Sequence, residues 1–309
     1  MQDKLPTGSR KDPILCLFFI LREDDNVGVM VVLSHFQARQ LIEARERGQS
    51  AVRVSLDLNL TESEVKLQPE SVLFPAGERL DWKSIEEVCG NETNCYRVEG
   101  DRLKAIKGFS EFSGRVYGLM PTASAPTMLI SGIPMHRIKD TNPHQDTLNK
   151  IKEVAPVKGD VLDTTTGLGY TAIEAAKTAR HVTTIEIDPT AQEIARFNPW
   201  SHALFETPNI RQVIGDAFDE ITKFDPASFS IIIHDPPMFS LAGDLYSLAF
   251  YQQAFRVLKP NGRLFHYIGD PESKSGARVT AGVTRRLQEA GFKRVVRAPR
   301  AFGVVVSKG

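Results

Sequence analysis

The sequence predicts an α/β protein: a doubly wound sheet ending in an antiparallel hairpin, preceded by a smaller α+β unit. Three observations carry this expectation. From about residue 151, strand-like apolar runs alternate with helical periods, the pattern of parallel strands joined by right-handed crossovers. The last two apolar runs, 294–298 and 302–306, face each other across Pro299-Arg300-Ala301, too short for a crossover. Residues 1–120 lack the alternation and mix short strands with separate helices.

At 309 residues the chain suits two domains better than one. Its 41% hydrophobic and 25% charged residues exclude a mainly disordered chain, a collagen-like repeat and a coiled coil. Lys+Arg and Asp+Glu both number 38, so no global field draws the chain to nucleic acid or anionic membrane. No apolar run approaches the roughly 20 residues of a membrane span. Cys16, Cys89 and Cys95 form no metal-like pair and read as free thiols of a reducing, cytoplasmic compartment. Residues 13–21 resemble a secretory leader, but the acidic Arg22-Glu23-Asp24-Asp25 follows without a small-residue cleavage site. A second apolar run begins at Val27, so the pair reads as a β-hairpin about Asp24-Asp25-Asn26.

Within the first unit, Ser34 caps a helix over 37–47 and Gly48 ends it in a left-handed conformation. Apolar and polar residues alternate over 52–60, the period of a half-buried strand. A short helix follows Asp81, and 96–106 form a hairpin turning at Glu99-Gly100-Asp101. No catalytic constellation is visible in this unit. Residues 121–150 read as a connector carrying a strand at 127–131, with Pro121, Pro126, Pro134 and Pro143 blocking any long helix. Within it, Met135-His136-Arg137 is either a surface loop or a cover over a bound ligand.

The second unit, 151–309, has strands at 161–163, 182–187, 210–214, 230–234 and 263–268. The first strand runs into Asp163-Thr164-Thr165-Thr166-Gly167-Leu168-Gly169-Tyr170, a small-residue turn that opens a helix over 171–178. Gly167 and Gly169 allow a tight turn and close approach to a ligand, a pattern that also satisfies a dinucleotide fingerprint. About twenty residues on, Glu186 ends the second strand beside Ile187, with Asp188 as its competitor, and can accept from ribose hydroxyls. Asp216 ends the third strand, suited to an adenine amino group, with Ala217 and Phe218 beside the ring.

Three acids at three successive strand tips resemble the class I S-adenosylmethionine-dependent methyltransferases over 145–309. The resemblance implies a Rossmann-like sheet and S-adenosyl-L-methionine as cofactor. It also implies that Asp163, Thr165, Thr166, Gly167, Gly169 and Tyr170 lie at its methionine part, Glu186 and Ile187 at the ribose, and Asp216, Ala217 and Phe218 at the adenine. Thr165 departs from the family, many of whose members have glycine there. More narrowly, 162–174, Asn198-Pro199-Trp200-Ser201, 234–251 and 265–269 resemble a group of archaeal-type predicted methyltransferases.

The fourth strand ends in His234-Asp235-Pro236-Pro237-Met238-Phe239. The prolines stiffen the turn and leave carbonyls uncommitted to a ladder, and Asp235 adds an acceptor; together they can grip an amine and aim its lone pair. This is similar to the Asp/Asn-Pro-Pro-aromatic motif of amino-group methyltransferases, except that Met238 occupies the aromatic position and Phe239 follows it. Asp235, Pro236 and Pro237 are therefore the catalytic candidates, and Met238, Phe239, Asp244, Tyr246, His136 and Arg137 the substrate-side candidates. No metal-ligand spacing occurs.

Two other readings stand beside methyl transfer. Asp235, Asp244, Asp270 and Glu272 can form an acidic rim similar to that of spermidine synthases, which implies aminopropyl transfer from decarboxylated S-adenosylmethionine. Residues 273–309 hold nine Lys/Arg against Glu289 alone, which suits RNA contact or simply a solvated face.

Overall fold

The structure, a computed structural model, describes residues 30–237, 242–270 and 273–309. The hairpin expected about Asp24, Cys16, and the substrate candidates Met238 and Phe239 lie outside the described residues.

Ser34 starts the first helix as expected. Its Oγ accepts from Phe36 N, and the Gln37 side chain accepts from Ser34 N, closing a capping box. In chain order, β1 (Val32–Leu33), α1 (His35–Glu46), β2 (Ala51–Val54), β3 (Ser63–Leu67), β4 (Ser71–Leu73), β5 (Arg79–Asp81) and α2 (Trp82–Cys89) come first. Then come β6 (Tyr96–Glu99) and β7 (Arg102–Ala105), the hairpin expected at Gly100. Strands β2–β5 form one sheet and β1, β6 and β7 another, and α1 and α2 share an apolar core with them.

The strand expected over 52–60 stops at Val54. Ser55 Oγ accepts from Asn59 N at 2.7 Å, and Asp57 Oδ1 accepts from Thr61 N at 2.8 Å. These local bonds outcompete the ladder and turn Leu58 and Asn59 left-handed, while Leu56 and Leu58 remain buried.

The connector is also more structured than the prolines suggest. Strands β8 (Lys107–Ser110), β9 (Arg115–Met120), β10 (Thr127–Ile130) and β11 (Ile133–Pro134) form one antiparallel sheet, so residues on both sides of 120 share it. Pro143, one of the four prolines expected to block a long helix, begins the 11-residue α3 (Pro143–Glu153). A first-turn proline gives up only an N–H that has no intrahelical partner, and Asn142 caps the helix by accepting from Gln145 N.

The second unit runs β12 (Asp160–Asp163), α4 (Tyr170–Ala176), β13 (His181–Glu186), α5 (Pro189–Arg196), α6 (His202–Glu206), β14 (Ile210–Ile214), α7 (Ala217–Glu220) and β15 (Phe229–His234). It continues with α8 (Leu248–Val257), β16 (Leu258–Tyr267), α9 (Lys274–Glu289), β17 (Arg294–Ala298) and β18 (Gly303–Ser307). The sheet order is β14-β13-β12-β15-β16-β18-β17, parallel through β16, with β18 antiparallel to both neighbours. Alternate residues of the central strands feed two cores: Val161, Val182, Ile231 and Ile233 one, Leu162, Ile185 and Ile232 the other. Strand order reverses between β12 and β15, opening a crevice at their carboxyl ends where ligands of such sheets bind. No helix of the described residues is long and apolar enough to cross a membrane.

Gly169 fixes the turn from β12 into α4. Its φ is +77°, and a Cβ there would lie 2.7 Å from Leu204 Cδ2. Gly169→Ala should therefore destabilise the protein by about 2–4 kcal/mol from left-handed strain plus overpacking, read as a shifted urea midpoint.

Candidate active site

A cavity of about 590 Å³ occupies the crevice. Its floor is made by the carboxyl ends of the parallel strands: Thr165, Thr166 and Gly167 after β12, Glu186 and Ile187 at β13, Asp216 and Ala217 after β14, and Asp235, Pro236 and Pro237 after β15. Its opposite wall comes from the β8–β11 sheet. Arg115 and Tyr117 of β9, Met128 and Ile130 of β10 and Ile133 of β11 turn one face of that sheet inward, followed by Met135, His136 and Arg137. The first unit, in which no catalytic constellation was visible, thus supplies Arg115 and Tyr117 to this wall, and the connector supplies the rest.

Of the residues singled out beforehand, Tyr170, Asp244, His136 and Arg137 also line the cavity. Asp163, Gly169, Phe218 and Tyr246 do not; they support it. Asp163 is buried beneath the turn, where its Oδ2 accepts from Thr171 and Thr184 at 3.1 Å each. Phe218, expected beside an adenine, packs into the core with Ile221 and Leu245 as neighbours in the same cluster. Tyr246 donates to the Pro237 carbonyl at 3.0 Å, stiffening the proline corner from behind.

The turn itself is braced on both sides. Gly167 has φ +52° and nothing within 4 Å of a would-be Cβ, so its backbone faces open cavity. Its N–H donates to Glu186 Oε2 at 2.8 Å, while Glu186 Oε1 accepts from Asp188 N at 3.1 Å. Burial raises the Glu186 pKa despite backbone hydrogen bonds from Asp188, Gly167 and Ile187. Asp188, the competing candidate, is committed elsewhere: it caps α5 and accepts from the Ser110 and Ser113 hydroxyls. Asp216 caps α7 by accepting from Phe218 N at 2.8 Å and still lines the cavity.

The Asn198-Pro199-Trp200-Ser201 segment locks the start of α4. Buried Asn198 donates to Tyr170 Oη at 2.9 Å and to Ser201 Oγ at 2.7 Å, and Ser201 donates to the Leu168 carbonyl. Tyr170 in turn donates to Pro126 O across to the first half.

At the proline corner, Thr165 Oγ1 donates to the Asp235 carbonyl at 2.8 Å. His234 accepts from Thr164 at Nδ1 and donates from Nε2 to the Leu245 carbonyl, since a carbonyl can only accept. Burial lowers its pKa to about 3, so it is a neutral structural imidazole. His266 is likewise kept neutral by burial, beside Tyr251 at 2.8 Å.

The group that holds Asp235 comes from a distant helix. Lys150 Nζ of α3 lies 2.6 Å from Asp235 Oδ2 and 2.9 Å from Asp146 Oδ2, and Arg137 Nη1 lies 2.9 Å from Asp146 Oδ1. Lys150 is 4% exposed and Asp146 wholly buried. Burial opposes the Lys150 charge, but Asp235 and Asp146 outweigh it and raise its pKa, so the ammonium persists. Burial raises the Asp235 pKa against the pull of Lys150. Asp146 and Lys150 stand at i,i+4 spacing in a stretch expected to be a connector, and that spacing by itself carries neither their burial nor their closeness to Asp235.

Five acids line the cavity (Glu186, Asp188, Asp216, Asp235 and Asp244) against Arg115 and Arg137, a lining that favours cationic ligands. The basic segment 273–309 lies elsewhere. There Arg286 donates to Tyr246 O, Lys308 to Phe255 O and Leu258 O, and Arg294 and Arg297 sit on the edge strand, where charge discourages pairing between sheets. No cluster of metal-ligating side chains occurs among the described residues.

Residues 146–272 match the family described as methyltransferase small domain. An uncharacterized protein of Methanocaldococcus jannaschii, MJ1233, is 40% identical over 289 residues, covering 91% of this chain and 98% of that one. A segment is 32% identical over 113 residues to polyamine aminopropyltransferase 2 of Streptomyces coelicolor, covering 35% of this chain and 20% of that one. Among solved structures, a spermidine synthase bound to the transition-state analogue AdoDATO superposes with TM-score 0.55 at 20% identity, over 66% of this chain and 73% of that one. The spermidine synthase of Thermotoga maritima gives 0.53 at 20% identity, over 66% and 72%. These last two show a shared fold. The chain belongs to the class I S-adenosylmethionine-dependent methyltransferase-like proteins. Within them it falls in the archaeal-type group represented by MJ1233, whose match spans both halves.

Burial raises the Asp163 carboxyl to about 7, against the pull of its threonine bonds. The folded state therefore retains a proton that the unfolded chain releases at an ordinary carboxylate pKa. The associated stability is full below that ordinary value and is lost as pH rises through about 7. Compared with Asp163→Asn, the wild type should lose about 2–3 kcal/mol between about pH 5 and about pH 8 in denaturant titrations.

Proposed function

We propose that the protein transfers a methyl group from S-adenosylmethionine to an amino nitrogen held at the Asp235-Pro236-Pro237 corner. The observation that carries this reading is that the corner lies on the floor of the same cavity as Gly167, Glu186 and Asp216. That cavity, with an open glycine backbone and acceptors at two neighbouring strand tips, fits an adenosyl amino acid. Gly167 would border its amino-acid part, Glu186 its ribose and Asp216 its base. When bound, S-adenosylmethionine supplies an electrophilic methyl carbon on a sulfonium.

The chain's own task is to present a neutral amine. The Asp235 and Pro237 carbonyls already accept from Thr165 and Tyr246, which leaves the Pro236 carbonyl and Asp235 Oδ1 to face an amine. An incoming ammonium is drawn to Asp235 and must shed a proton to free its lone pair, and Oδ1 is placed to accept it. Lys150 holds the other carboxylate oxygen, which fixes the direction of Oδ1. Positioning of this kind can supply several kcal/mol of a displacement barrier.

A second reading, aminopropyl transfer to a polyamine, draws support from the acid-rich lining and the match to part of a polyamine aminopropyltransferase. Turnover of a panel of amines with S-adenosylmethionine against its decarboxylated form separates the two. With the former, Asp235→Ala should lower the rate on the order of 100-fold or more while S-adenosylhomocysteine affinity in calorimetry stays within about threefold. Equal losses of affinity and rate would refute the assignment. Lys150→Met, which leaves Asp235 without its counter-ion, should lower the rate and shift its pH profile upward, whereas Lys150→Arg should recover part of both.

A further inference from the structure

The turn between β8 and β9 is where the first half meets the cofactor side of the cavity. Ser110 Oγ donates to Asp188 Oδ1 at 2.9 Å and Ser113 Oγ to Asp188 Oδ2 at 2.7 Å, so both oxygens of the residue that caps α5 are bridged to the hairpin. Behind the turn, Gly108 approaches α5 so closely that a Cβ would lie 3.2 Å from Thr190 Cγ2. The hairpin is thus fastened to the tip of β13 by two hydroxyls and packed on the helix that follows.

Its tip nevertheless presents Phe112, 67% exposed, to the cavity. Ile187, 45% exposed, lines the same cavity. Phe112 is the chain neighbour of Ser113 and Ile187 that of Asp188, so the Ser113–Asp188 bond holds close together the two backbone segments that carry these apolar side chains. Asp216 and Ala217 follow the end of β14, the strand paired with β13, and line the same cavity. Two large apolar side chains held open inside a cavity, beside a hydrogen-bond acceptor, make a slot for a flat ring with a polar edge.

We propose that the β8–β9 hairpin is a nucleoside clamp in which Phe112, from the first half, and Ile187, from the sheet, close on the base of an adenosyl ligand. The clamp assigns the first half a direct part in cofactor binding and rests on the reading that an adenosyl compound enters this cavity.

Calorimetry on the full chain with S-adenosylhomocysteine and with 5′-methylthioadenosine tests it. Phe112 is exposed, so Phe112→Ala should fold normally, which a thermal melt checks. That variant should weaken both ligands by the same factor, roughly 10-fold, as loss of an aromatic stacking partner does, and Phe112→Tyr should restore both. Unchanged affinity for both ligands in Phe112→Ala would overturn the clamp and leave the adenosyl reading intact. Weakening of S-adenosylhomocysteine alone would place Phe112 at the amino-acid end and also overturn it. Failure of the wild type to bind either ligand would overturn the clamp together with the reading beneath it.

Discussion

The site depends on one buried ammonium. Lys150 sits between Asp146 on its own helix and Asp235 on the central sheet, and Arg137 closes the far side of Asp146. Removing one member of such a set leaves an uncompensated buried charge, a cost of about 3–5 kcal/mol that no local rearrangement repairs cheaply. The same chain of charges joins the loop after β11, helix α3 and the end of β15. It therefore sets where the corner Asp235-Pro236-Pro237 stands relative to the first-half wall, and which carboxylate oxygen faces the cavity.

Around that anchor the two halves are stitched by bonds that cross between them. Tyr170 reaches the Pro126 carbonyl, Trp200 Nε1 reaches the Leu58 carbonyl, and Ser110 and Ser113 reach Asp188. Arg137 also donates to the Arg300 carbonyl beyond β17, and its guanidinium lies 3.4 Å from the Phe302 ring centroid. The acceptors are backbone carbonyls and the carboxylate that caps α5. Fastening of this kind limits how far the halves can shift against each other, which suits positioning of bound groups.

The floor of the cavity shows how supporting residues differ from contacting ones. Asp163, Gly169, Phe218 and Tyr246 all belong to the motifs that pointed to the site, yet each works from beneath. Asp163 holds two threonine hydroxyls, Gly169 makes room for Leu204, Phe218 fills the core, and Tyr246 braces Pro237. A motif marks a stretch of chain whose geometry is demanding; only side-chain direction tells which of its members meets a ligand.

By itself the sequence determined the parallel sheet, the glycine turn, the acids at the strand tips, the proline corner and the terminal hairpin. All of these follow from local period, turn chemistry and strand ends, which the chain carries within a few residues of each feature. Local rules failed where they competed: Ser55 and Asp57 ended a strand that alternation had extended, and Pro143 opened a helix where a connector was expected. Long-range packing alone puts Arg115 and Phe112 on the cavity wall and Lys150 and Asp146 behind Asp235. Charge and aromaticity read the same in sequence whether a side chain ends in solvent or in a cavity. What separates the two is burial created by segments tens of residues apart, such as Lys150 against Asp235 and Ser113 against Asp188.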